Sequence, residues 1–136
     1  MADVTITLHV NTAQIAKPND VDNNCNFGQA ANITNEDYTV SLDVGQTVEW
    51  VGVSSNAPTT DRVEITKIKD DSPGNIFGPN NRDPLGNAGN GWKPSGKVNN
   101  SARDQNETYT IFFNVYNGTT QRNGKFQIDP KLQVNG

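Results

Sequence analysis

The stretch 109-YTIFFNVY-116 decides how this chain folds. Tyr109, Ile111, Phe113 and Val115 fall on one face at a period of two, the repeat of a strand rather than a helix. Phe112 and Tyr116 take the opposite parity, so burying the Phe113 face leaves two aromatics on the other side of the same strand. The alternation recurs upstream. Val4, Ile6, Leu8 and Val10 share a face in a first strand, and Tyr38, Val40, Leu42 and Val44 do so in a second. Gly45 allows a turn, after which Val48 and Trp50 resume the pattern. Val63 and Ile65 continue it, but Ile68 slips to the other parity, the mark of a bulge or a strand end. Phe126 and Ile128 make a late strand. Pro130 interrupts its ladder, and Leu132 with Val134 form a last segment expected at a sheet edge.

No stretch of useful length repeats apolar residues at helical spacing. Seven or eight short strands between turn-rich loops predict an all-β fold, an antiparallel Greek-key β-sandwich in a single domain over residues 1–136. Two connections are long, 11–35 and 70–107. A structureless loop of the second length is improbable inside a compact domain. It is either a functional excursion packed on itself or the host of a short strand, for which Gly96-Lys97-Val98 is the candidate.

Composition narrows the function. The chain is 32% hydrophobic with a formal charge of −4, and it has no basic cluster, so a nucleic-acid partner is not expected. No apolar run approaches the ~20 residues that span a bilayer, so neither is a membrane. The start, MADVTITLHV, lacks the features of a signal peptide, which predicts a cytoplasmic protein, with export by a route lacking a classical signal left open. The single cysteine, Cys25, permits no internal disulfide. Asparagine supplies 20 of the 136 residues, mostly in loops, where it stabilises turns by bonding to the backbone.

Two segments, 38-YTVSLDVGQTVEWVGV-53 and 109-YTIFFNVYNGTTQRNGKFQID-129, resemble the cupredoxin fold: paired strands around a glycine turn, then the late strand, ligand loop and final strand. The resemblance implies a sandwich but not its copper. Phe113 or Asn114 stands at the cysteine position, Tyr116 near the histidine, and Gln121 to Asn123 where methionine belongs. His9 is the only histidine, whereas type 1 copper needs two. The ending Gly124-x-Phe126-x-x-Asp129-Pro130-x-Leu132 resembles the bacterial inclusion-body proteins of the PixA/AidA family. That resemblance implies a small, non-enzymatic, self-associating protein and hence a homo-oligomer.

Catalytic sets are missing from the sequence. A nucleophilic triad would have to use His9, and no phosphate-binding or nucleophile-elbow motif occurs. No cofactor is expected, with calcium the one metal candidate, because Asp, Asn and backbone carbonyls supply hard oxygens. Asp20, Asp22 and Asn24 take positions 1, 3 and 5 of an EF-hand spacing, which fails at Cys25 and Ala31. Asp70 with Asp71, or Asp83 with Asp104, are other pairs. The alternative to self-association is therefore a calcium-assisted carbohydrate- or ligand-binding module using the 70–107 loop. There Trp92 is either an exposed sugar-stacking anchor or a lid over one end of the sandwich. Phe112 and Tyr116 are likewise either a partner surface or covered by that loop.

Overall fold

The computed structural model describes residues 3–15, 21–70, 76–77, 84–99, 106–122 and 126–135. Asp20, Asp71, Asp83, Asp104 and Gly124 lie outside them. The strands are β1 (Val4–Val10), β2 (Cys25–Asn26), β3 (Thr39–Leu42), β4 (Thr47–Ser54), β5 (Arg62–Asp70), β6 (Ser95–Lys97), β7 (Asn106–Asn117), β8 (Thr120–Gln121), β9 (Phe126–Ile128) and β10 (Lys131–Val134), with a turn of α-helix, α1 (Val21–Asn24), and a 3-10 turn at Ala88–Asn90 among the described residues. They form an all-β fold of two sheets. The first runs β2-β1-β4-β6. The second runs β3-β10-β7-β5, with β8 and β9 also paired to β7.

Both sheets are mixed, whereas alternation had predicted antiparallel pairing. β1 runs parallel to β4, and β3 runs parallel to β10. The physical reason lies in the turn at Gly45, whose φ of 90° is open to glycine. Here the chain leaves β3 in one sheet and enters β4 in the other, so neighbours in sequence do not pair. A period of two tells which face is buried, not which strand lies alongside or in which direction.

The faces themselves are as the pattern dictates. Ile6, Leu8 and Trp50 of the first sheet meet Ile111, Phe113 and Phe126 of the second, all buried. Such burial stabilises the fold by about 1.5–3 kcal/mol for each large side chain. The slip after Ile65 is a bulge: Ile65 pairs with Phe113 and Lys67 with Phe112. One extra residue returns Ile68 to the inner side, and both isoleucines are buried.

Pro130 separates β9 from β10, yet both pair with β7, and the Pro130 carbonyl accepts from the Tyr109 N–H at 3.0 Å. β10 is not an edge strand, contrary to the expectation for Leu132 and Val134. The proline lies between the two ladders, which leaves β10 free to take β3 on its other side.

The second long connection does hide a short strand, β6, one residue earlier than the candidate segment. Around it residues 84–97 strap the two sheets together. Pro84 and Gly86 bond to the free edge of β5, accepting from Ile68 at 2.9 Å and donating to Thr66 at 3.0 Å. Pro94 then accepts from Trp50 at 2.9 Å, and Ser95–Lys97 pair with β4.

Candidate functional site

Three regions carry the residues that the sequence singles out. The first is the outer face of β5 and β7. Phe112 sits in a cross-strand row between Lys67 and Gln127, and Tyr116 lies opposite Arg62. The Arg62 guanidinium stands 4.2 Å over the Tyr116 ring, a cation–π contact, while its Nε bonds the buried Glu64 carboxylate at 2.7 Å. Phe112 and Tyr116 are both half-buried. Across the edge, Leu85 bridges to Lys67 and remains 58% exposed. Leu85, Lys67 and Phe112 thus share one cross-strand row, with Glu64 and Asn114 between it and the Arg62–Tyr116 pair; an exposed leucine beside a half-covered aromatic is the kind of surface that meets a partner.

The second region is the strap. Asn87 and Asn90 each accept from the other's backbone N–H, at 3.1 and 3.0 Å, closing a single 3-10 turn. Trp92 follows with φ 60°, the one non-glycine residue at positive φ among those described. A bulky residue there is strained and needs fixing by its surroundings. Its N–H donates to the Asn87 carbonyl at 2.8 Å, and its indole is half-buried. No ring contact joins Trp92 to Phe112 or Tyr116 among the described residues. The three aromatics therefore do not form one platform.

The third region is an open hollow of about 590 Å³ between α1 and residues 28–36. Asp22 stands at its rim, exposed, and Asn24 is half-buried. Asn35 forms its buried wall, donating to the Cys25 carbonyl at 2.9 Å and accepting from Gln29 at 2.8 Å. Of the predicted calcium set, Asp20 lies outside the described residues. Among those residues, no group of three or more His, Cys, Asp or Glu gathers to hold a metal. Phe113, which with Asn114 is one of the two residues that the cupredoxin resemblance sets at the cysteine position, stacks on Phe126 inside the core, centroids 5.6 Å apart.

Cys25 lies in this region but faces inward. Burial, with a smaller contribution from the Asp22 charge, pushes its thiol up to about 12. The thiolate is the reactive form, so Cys25 is inert in the folded protein. A disulfide-forming reagent at pH 7.5 is expected to label unfolded chain fully and native chain only as fast as it opens. Rapid labelling of the native protein would contradict this.

One constellation gave no signal in the sequence, because its members are far apart in the chain. Thr12, wholly buried, shares its hydroxyl with Ser54 at 2.8 Å and Asp61 at 2.6 Å. Asn117 donates to the Thr12 carbonyl at 2.8 Å and to Asp61 at 3.0 Å, and Arg122 bonds the Asn117 amide oxygen. This clasp joins three loops at one end of the sandwich: the exit of β1, the β4–β5 turn and the β7–β8 hairpin.

Replacing Thr12 by the isosteric valine removes the hydroxyl that Ser54 and Asp61 share, while both keep their other hydrogen bonds, and should cost about 1–3 kcal/mol in a denaturant titration. The Thr12 hydroxyl first, then Asn117 and the Gly118 N–H, hold the Asp61 carboxyl below its ordinary value. A carboxyl lowered on folding stabilises above its unfolded pKa, about 3.9, and loses that contribution as pH falls through the lower folded value. Melts of Asp61→Asn should therefore fall less steeply below about pH 4 than wild type. Parallel acid limbs would show that the carboxylate is not a source of acid sensitivity.

No family model and no curated protein matches the chain. Its fold is similar to the crystal structure of an inclusion body protein, PixA, from Burkholderia cenocepacia, with a TM-score of 0.62 at 13% identity, covering 98% of this chain and 96% of that one. The likeness runs over nearly the whole of both chains and shows a shared fold. No helix among the described residues is long and apolar enough to cross a membrane.

Proposed function

We propose that the protein is a non-catalytic structural protein that associates with copies of itself, of the bacterial inclusion-body type. The observation that carries this reading is the full-length likeness to an inclusion body protein. The sequence supports it from a separate direction, through its G-x-F-x-x-D-P ending and its lack of a catalytic set. The outer face supplies a physical means. A half-covered aromatic pair with an exposed leucine gains free energy when a second surface excludes water from it. Function then resides in which faces meet, not in a reactive group.

Purified protein examined by light scattering and sedimentation velocity over a concentration series tests the reading. Species larger than the monomer should grow with concentration. A strict monomer at the highest soluble concentration would overturn it.

A further inference from the structure

The clasp at the end of the sandwich closes over a group that reacts with water. Four Asn–Gly pairs occur in the chain, and two of them, Asn90-Gly91 and Asn117-Gly118, lie wholly among the described residues. Asparagine before glycine is chemically labile, because a following residue without a Cβ lets its nitrogen reach the side-chain carbon. That nitrogen bonds to Cγ and loses its proton, ammonia leaves, and a cyclic imide remains. Water then opens the imide to aspartate or isoaspartate. No other reactant is needed.

The two pairs are held differently. Asn90 sits on an exposed 3-10 turn and is tied only within the strap, its amide donating to the Leu85 carbonyl at 2.9 Å. Asn117 ends β7, paired with Thr120 across a two-residue turn. Each polar atom that must move in the reaction is engaged there. The amide nitrogen, the leaving group, donates to the Thr12 carbonyl at 2.8 Å and to Asp61 Oδ2 at 3.0 Å. The amide oxygen accepts from Arg122. The Gly118 N–H, the nucleophile, donates to Asp61 Oδ1 at 3.0 Å. The Asp61 carboxyl, lowered chiefly by the Thr12 hydroxyl, is a weak base, so it holds this nitrogen without activating it. Closing the imide ring requires these bonds to break and the strand end to turn out of its ladder.

The product cannot rebuild the clasp. A carboxylate at position 117 has no N–H for the Thr12 carbonyl, and it sets an acceptor and a second negative charge against Asp61. We propose that Asn117 is a deamidation site controlled by the clasp: it reacts only when this end of the sandwich opens, and the carboxylate it becomes then holds the end open. The clasp thereby sets the time of a one-way loosening of the β4–β5 turn and the β7–β8 hairpin.

Native protein incubated at mildly alkaline pH, with peptide mass spectrometry at Asn117 and Asn90, tests this. Thr12→Val removes a clasp hydroxyl without touching Asn117, and should speed deamidation there about tenfold or more. Arg122→Ala opens the clasp from its other side and should act in the same direction. Asn90, in the same molecules, should keep its wild-type rate in both. Tyr109→Phe weakens the middle of the sandwich and leaves the clasp intact, so Asn117 should react in it as slowly as in wild type. Asn117→Asp, the aspartate product made directly, should be cut in the β4–β5 turn and the β7–β8 hairpin by protease that leaves wild type whole, with circular dichroism showing that the sheets persist.

An Asn117 rate that neither Thr12→Val nor Arg122→Ala raises, one that Tyr109→Phe raises as much as they do, or an Asn117→Asp protein as resistant as wild type would overturn the proposal.

Discussion

Trp50→Ala is expected to lower stability by about 3–5 kcal/mol, against the roughly 5–15 kcal/mol that holds an ordinary domain together. Trp50 is wholly buried on the parallel partner of β1, beneath the strap. Its ring meets Phe77 edge-on at 5.4 Å and Tyr109 at 5.8 Å, so its loss opens a cavity bounded by both sheets. It also carries a polar duty. The indole N–H donates to the Tyr109 hydroxyl at 3.1 Å, across the middle of the sandwich. Burial keeps that hydroxyl protonated far above the ordinary tyrosine range, offset in part by the indole's donation. Tyr109→Phe therefore isolates the polar part: it keeps the ring but strands the indole N–H, at about 1–3 kcal/mol. Urea titrations of both variants check the pair. Equal losses would mean that the hydrogen bond, and not the packing, dominates at this site.

The inner faces were legible because burial alone sets the period of two. Ile6 to Val10 and Tyr109 to Val115 alternate in the structure as they do in the sequence. The slip at Ile68 was legible too, since a strand that must bury residues of opposite parity needs a bulge between them. Asparagine was legible as turn chemistry: Asn26 accepts from the Gly28 N–H at 3.0 Å, and Asn87 and Asn90 close the strap's 3-10 turn.

Strand direction and neighbour were not legible. Val4 to Val10 carries no mark that it will lie parallel to Val48 and Trp50, because that outcome is set by the sheet to which β3 belongs. The clasp was invisible for a related reason. Thr12 and Asp61 are ordinary loop residues and Asn117 ends β7, and only the closed fold brings their hydrogen-bonding groups within 3 Å. Of the candidate site residues, Phe112 and Tyr116 fall on the outer face as parity required. Their companions, Arg62 over the ring and Leu85 across the edge, come from pairings that no spacing encodes.

Gly86→Ala should release the strap that closes the sandwich over Trp50. An added Cβ would stand 1.7 Å from the Ile65 carbonyl oxygen and 2.8 Å from its carbon. The obstacle is main chain in the middle of a paired strand, so no rotamer change relieves it, and the 84–86 segment must move off by more than an ångström. Moving it breaks the bonds from Ile68 to Pro84 and from Gly86 to Thr66, and exposes Pro84, which is buried. Overpacking and two lost edge bonds together set the expected loss at about 2–4 kcal/mol. Gly89→Ala, three residues on, is the control: its nearest obstacle is the Asn87 side-chain oxygen at 3.1 Å, and that side chain is exposed. Its cost should stay under about 1 kcal/mol. Limited proteolysis reads the local effect, with cleavage between residues 84 and 99 rising in Gly86→Ala well before global melting. Equal protease resistance in the two variants would show that the strap does not depend on this close approach.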